Sequence, residues 1–352
     1  MRWPTLSHAP RDTLLTLCAG TAGAAVFWLI GAPVYMLLGP VVAVSLLGLG
    51  GVRTAIDPAL RNGCFVVLGI AVGAGFNADA VDAMVRWPLA FVFMTLVIWA
   101  IMALCRWLLG RFFGFDARSA LLASAPGHLS FVIAMASDTG SDVARISITQ
   151  SVRLLALTIV VPFVALAMGV DMTGNIAPQG AGMGWLPMAV LIAASVVIGL
   201  VFGRLSVPAP LLLGAMVASA LAHLSGAETG VLPGWLTLAA YLVLGCLIGT
   251  RFSGITPALL ARGLGAGLAI TGVAVGLAGL GAVPVAWALG MPLAHVLVAF
   301  APGGLETMIA LGAILAVVPG FVAACHIMRL VVLSVLLPAM LARISRRERR
   351  AG

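Results

Sequence analysis

The chain has 352 residues, 62% of them hydrophobic and only 9% charged, with a mean hydropathy of +1.18. Soluble domains carry roughly 25% charged residues and disordered chains are poor in apolar ones, so both classes are excluded. The formal charge of +8 comes from 19 arginines and no lysine against 11 acids. On a soluble protein such a balance suggests nucleic acid. Here the arginines occupy short connections and the C-terminal tail, the pattern that holds loops on the cytoplasmic face, and no nucleic-acid partner is expected.

At about 20 residues per spanning helix, the length accommodates roughly ten to twelve membrane segments. The fold class is therefore an all-α polytopic membrane protein. Arg2 and Arg11, followed by the apolar run Leu14 to Ile30, read as a retained first helix with the N-terminus inside. The first half then offers apolar segments at 34–51, 64–76, 88–109, 120–138 and 143–168. The second offers 185–203, 209–224, 236–252, 264–289, 294–318 and 321–342. The third of each half is short, but Gly69/Gly73 and Gly245/Gly249 would let neighbouring helices approach closely.

The two halves resemble each other. Pro33–Gly51 aligns with Pro208–Gly226 at an offset of 175, and Leu68–Phe76 with Leu244–Phe252 at 176. Ala125-Pro126-Gly127 aligns with Ala301-Pro302-Gly303, again at 176, and that register continues through Arg153 and Arg329 to Pro162 and Pro338. Three blocks in one register, with an arginine matched inside an apolar run, point to an internal duplication. Residues 1–170 form one membrane repeat, 171–184 a linker, 185–342 the second repeat, and 343–352 a basic tail suited to a cytoplasmic surface of anionic lipid.

If all six segments of each half cross, the halves are parallel. If one per half dips in and returns, each crosses five times and the second half is inverted. Inversion places Arg53, Arg61, Arg106, Arg111, Arg118, Arg204, Arg251 and Arg262 inside and only Arg86 outside, which the positive-inside rule favours. The candidate for the returning segment carries Ala-Pro-Gly, because proline removes an amide donor and glycine relaxes the backbone.

Ionisable residues within a membrane are costly and mark pathways or ligand sites. In this chain they gather beside the Ala-Pro-Gly breaks: His128, Ser130, Asp138, Asp142, Arg145, Thr149, Gln150 and Arg153 in the first half, and Glu306, Thr307, His326 and Arg329 in the second. Gln150 and Arg153 share a helix face, and His326 and Arg329 occupy the matched positions. Arginine binds carboxylate or phosphate through a rigid donor fork. A half-helix starting after Pro126-Gly127 or Pro302-Gly303-Gly304 would aim free amides at the same anion. Glu306 and Asp142 are the acids placed for proton or ion coupling, and His326 can also titrate; for Glu306 and His326 a hydrogen bond that satisfies the broken backbone is an equal alternative. The competing reading makes the arginines structural, each pairing with Asp142 or Glu306; for Arg145 and Asp138, snorkelling to the interface competes with a site role.

Five cysteines in apolar runs with no paired spacing suggest neither a disulfide framework nor zinc. The sequence has no HExxH, GxxxxGK[ST] or GxSxG motif, so neither an enzyme nor a resident metal or cofactor is expected.

With Ala125-Pro126-Gly127 and Gln150-Ser-Val-Arg153 in one half, and Ala301-Pro-Gly-Gly-Leu-Glu306 with His326-Ile-Met-Arg329 in the other, the sequence resembles the internally duplicated AbrB-type bacterial inner-membrane proteins over nearly its whole length. That resemblance implies a regulator of gene expression or a transporter; some members carry an ammonia monooxygenase label, which the absence of clustered metal ligands here does not support. The chain departs from the expected pattern at Cys325, where a second histidine often stands, and at Val318, matched to Asp142. The leading expectation is a secondary transporter of a small organic anion in the bacterial inner membrane, working by alternating access, with both termini cytoplasmic and homo-oligomers possible. The alternative is a membrane-embedded sensor that binds a ligand without moving it. An oxygenase, the third reading, would need a bound metal.

Overall fold

The computed structural model describes residues 10–76, 87–127, 129–169, 180–315 and 318–351. Within them lie fourteen α-helices and no strand. In chain order these are α1 (Pro10–Leu29), α2 (Tyr35–Leu49), α3 (Pro58–Gly73), α4 (Trp87–Phe112), α5 (Ala117–Ser124), α6 (Leu129–Asp138) and α7 (Val143–Ala167), then α8 (Trp185–Arg204), α9 (Pro210–Leu224), α10 (Gly234–Gly249), α11 (Pro257–Leu289), α12 (Leu293–Phe300), α13 (Leu305–Ile314) and α14 (Pro319–Ala351). The expected segments at 120–138 and 294–318 are each two short helices, α5/α6 and α12/α13. The tail expected from residue 343 continues α14 as helix. Of the expected linker, residues 171–179 lie outside the described residues.

Among the described residues, seven helices are long and apolar enough to cross a membrane. Their outer faces carry large apolar side chains, including Trp185 at 75% exposure and Trp287 at 87%. In water such faces would be a liability; in a bilayer lipid covers them. The protein is an all-α, multi-pass membrane protein.

Compactness divides the chain differently from its halves. One unit comprises residues 1–75 and 171–256, the other 76–170 and 257–352, so each draws helices from both halves. In the first unit, α3 lies on α9 and α10 lies on α2. A Cβ on Gly73 would stand 2.5 Å from the Met216 carbonyl, and one on Gly245 2.5 Å from that of Leu37. Only glycine permits such backbone approach, which explains how helices of 16 residues hold their place.

The second unit holds α4–α7 and α11–α14, and every candidate site residue. Capping aspartates set where its first-half helices begin. Asp116 accepts from the amides of Arg118 (3.0 Å) and Ser119 (2.9 Å) ahead of α5, and Asp142 from that of Arg145 (2.9 Å) ahead of α7. Each cap satisfies amides that the first turn leaves free.

Candidate anion site at two broken helices

A residue before proline is steered out of the helical region by clash with the proline ring. Ala125 and Ala301 obey: each ends its short helix with extended backbone, at ψ 120° and 125°. After Pro126 the chain turns at Gly127, whose φ of +100° suits glycine alone. Helices α6 and α13 then start afresh.

The first broken segment doubles back. Arg118 Nη1, at the start of α5, donates to the carbonyl of Thr139 just past the end of α6 (3.4 Å). The amide of Asp142 donates to Ser119 Oγ (3.4 Å). Both ends of the segment therefore lie together, with the Ala-Pro-Gly break at its tip. This is a helical hairpin.

Helix α7 rises beside it and supplies what the broken backbone lacks. A helix end leaves carbonyls without partners, intolerable in lipid unless something donates to them. Gln150 Nε2 donates to the carbonyls of Leu122 and Ala123 (both 3.1 Å) and Ala125 (3.0 Å). Arg153 Nη1 donates to the same Ala125 carbonyl (3.0 Å), and its Nη2 to Gln150 Oε1. In the other half, Arg329 on α14 holds the second break: Nη1 donates to Ala301 (2.8 Å) and Nη2 to Gly303 (2.7 Å). Gln150 and Arg153 stand eight and eleven residues past Asp142, so at 1.5 Å per residue they lie about 12 and about 16 Å along α7. In a hydrocarbon layer about 30 Å thick, that is close to mid-depth.

The two breaks also meet. A Cβ on Gly127 would stand 3.4 Å from Arg329 Nε, so the guanidinium that holds the second break packs on the tip of the first. Arg153 and Arg329 are fully buried and near enough to repel each other. Neither hydrogen-bonds to a carboxylate among the described residues, and the Nε of each has no partner. His326, also fully buried, lies beside the Val298 backbone without a well-formed hydrogen bond. The result, among the described residues, is a cationic centre whose hydrogen-bond partners are amide and backbone carbonyls.

The structure thus brings together Pro126, Gly127, Gln150, Arg153, Pro302, Gly303 and Arg329, with His326 three residues from Arg329. Gly304 is the N-cap of α13, and Glu306 stands half-buried in that helix's first turn, where a negative charge suits the helix dipole. Asp142 does not join them: it is exposed, caps α7, and leaves Arg153 without the acid that a structural pairing required. His128 lies outside the described residues, as does the side chain of Ser130. Arg145 has a structural post, donating to the carbonyls of Gly114 (3.1 Å) and Phe113 and stacking 3.9 Å over Phe115. The sequence reading offered Glu306 or His326 as partners for the broken backbone, and not Gln150, Arg153 and Arg329, which hold it here; a proline that ends a helix beside a buried Gln and Arg is the signal. No cluster of metal-ligating side chains occurs among the described residues.

A family described as "Transition state regulatory protein AbrB" matches residues 7–345. The chain belongs to the AbrB family. Among relatives of this AbrB-family protein, the "Putative regulator AbrB" of Escherichia coli (strain K12) is 27% identical over 234 residues, covering 64% of this chain and 66% of its own. The aligned part thus falls just short of two thirds of that relative. The "Uncharacterized protein YhjN" of Bacillus subtilis (strain 168) is 28% identical over 297 residues, 78% of this chain and 75% of its own.

Proposed function

We propose that this AbrB-family protein is a secondary transporter of small organic anions, working by alternating access in the bacterial inner membrane with both termini cytoplasmic. The observation that carries the reading is the pair of buried guanidiniums, Arg153 and Arg329, beside the hairpin tip with no hydrogen-bonded acid among the described residues. Intramembrane charge of one sign without a counter-charge is expensive, and a carboxylate or phosphate would supply the missing partner through the geometry arginine favours. Gln150 and Arg153 form one wall and Arg329 with His326 the other. The tips at Pro126-Gly127 and Pro302-Gly303-Gly304 contribute amides, and Glu306 carries a coupling proton.

The two repeats are inverted in this reading. Supporting it are the loop arginines and the first hairpin, whose return leaves that half five crossings. The glycine-mediated approaches of α3 to α9 and α10 to α2, which match at the repeat offset, fit the same two-fold relation.

The test is counterflow and proton flux in liposomes containing the purified protein, with short carboxylates and inorganic phosphate as probes. Saturable uptake, abolished in Arg329→Met and Arg153→Met variants that still fold, is the expected result. Binding without any flux would favour the second reading, a ligand sensor, which the E. coli relative's name supports. Neither binding nor flux would overturn both.

A further inference from the structure

Helix α9 ends at a histidine whose two ring nitrogens both face carbonyl oxygens. His223, in the last turn, has Nδ1 2.8 Å from the Ser219 carbonyl and Nε2 3.0 Å from that of Gly230. The Ser219 hydroxyl, 3.4 Å from Nδ1, donates its own proton to the Ile70 carbonyl on α3 (2.8 Å), so it too can only accept. Neutral imidazole carries one N–H and satisfies one side of this arrangement; imidazolium carries two and satisfies both. The C-terminal end of a helix also favours a positive charge.

The residue held from the far side joins three pieces of chain. Gly230 is buried, and Glu228 Oε1 accepts from its amide (2.6 Å) and from that of Thr229 (2.9 Å). A carboxylate thus grips the amide of Gly230 and the imidazole its carbonyl. A Cβ on Gly230 would stand 2.8 Å from Met183 Cα, an approach that glycine permits. The next residue, Val231, donates to the Ala181 carbonyl and accepts from the Met183 amide (both 2.9 Å). Met183 immediately precedes Gly184, the N-cap of α8.

We infer that His223 is a proton-operated clasp. Charged, it closes the loop between α9 and α10 onto the lead into α8; neutral, it releases one of its two carbonyls and the loop loosens. The clasp is independent of the anion reading above. Histidine changes charge between about pH 5 and 8, so the clasp is complete in mild acid and incomplete in mild alkali. Among the described residues, Glu228 is the other ionisable group at this end. Arg61 and Arg204 lie at the far ends of α3 and α8, and α10 carries no charge.

The experiment uses the full-length protein in lipid nanodiscs at pH 5.5 and pH 8. Hydrogen exchange, corrected for the intrinsic rate at each pH, reads the amides of Met183 and Val231. Nitrogen NMR of ¹⁵N-labelled histidine, with His223→Gln identifying the signal, reads the ring. The expected result is a ring protonated at both nitrogens at pH 5.5. Protection of the two amides should be at least about tenfold lower at pH 8, the worth of one hydrogen bond to a charged group, and in His223→Gln that difference should vanish. Equal protection at both pH values in the parent overturns the proposal, as does a ring found neutral at pH 5.5 or a step that survives His223→Gln. Protection that rises towards pH 8 has the sign of Glu228 gaining charge, and overturns it too.

Discussion

Replacing Gln150 by leucine keeps the side-chain volume and removes its amide. Four hydrogen bonds go: three to the carbonyls of Leu122, Ala123 and Ala125, and one from Arg153. They are not equal losses. The Leu122 carbonyl keeps the amide of Ala125 at 3.4 Å, and the Ala125 carbonyl keeps Arg153. The Ala123 carbonyl and one Arg153 nitrogen are stranded. Hydrogen bonds between membrane helices average about 0.6 kcal/mol, which sets a floor near 2 kcal/mol for four. Taking about 2 kcal/mol for the neutral group left without a partner and about 3 for the charged one gives an upper figure near 5. Equilibrium unfolding of the purified protein in mixed micelles should place Gln150→Leu about 2–5 kcal/mol below the parent. In a double-mutant cycle with Arg153→Met, the two should couple by at least about 1 kcal/mol. A Gln150→Leu variant within about 0.5 kcal/mol of the parent, with no coupling, would refute the claim that this side chain supports the broken backbone.

Gly127→Ala and Gly304→Ala should separate sharply. The first forces an L-residue to φ +100° against Arg329 and should cost about 1–3 kcal/mol, whereas Gly304 has φ −70° with no neighbour nearer than 3.4 Å and should be tolerated; thermal unfolding of both compares them. Cysteines at Arg118 and Thr139, in a background whose native cysteines are replaced, should be joined by a short bis-maleimide that spans the reach of the Arg118 side chain, which a direct disulfide does not, and failure to join would contradict the hairpin. Asp116 lies in the loop before α5. Burial acts to raise its carboxyl, but the Ser119 hydroxyl and the amides of Ser119 and Arg118 outweigh it and hold the group below the ordinary carboxylate range. Its folded value being depressed, the stability it lends is complete above the unfolded value and fades as pH falls through the folded one. Asp116→Asn should therefore be less stable than the parent at pH 7, and the gap should close as the pH is lowered past the carboxylate range; a gap that widens in acid reverses the sign.

Membrane class and helix positions were legible because hydropathy reports them directly. The breaks were legible because proline and glycine act on the backbone locally, whatever surrounds them. The split of the chain into units that interleave its halves was not, since which helix accepts Gly69 and Gly73 depends on tertiary packing. The reading of Asp142 as a coupling acid followed its chemistry and its nearness in sequence to Arg153. A capping aspartate carries the same letter, and only the helix start, three turns away, distinguishes the roles. The carbonyls that hold Gln150, Arg153 and Arg329 carry no letter at all.

Two buried positive charges on helices long enough to cross a membrane would also feel whatever voltage that membrane bears. Moving one elementary charge through the whole field is worth about 2.3 kcal/mol per 100 mV. Carrying both guanidiniums through half of it would therefore be assisted or opposed by a similar amount, which is enough to bias a conformational equilibrium about fiftyfold. In the transporter proposed above, a singly charged cargo would halve that bias and a doubly charged one would remove it, so the valence of the passenger would decide whether the cell's electrical gradient drives the cycle or is indifferent to it.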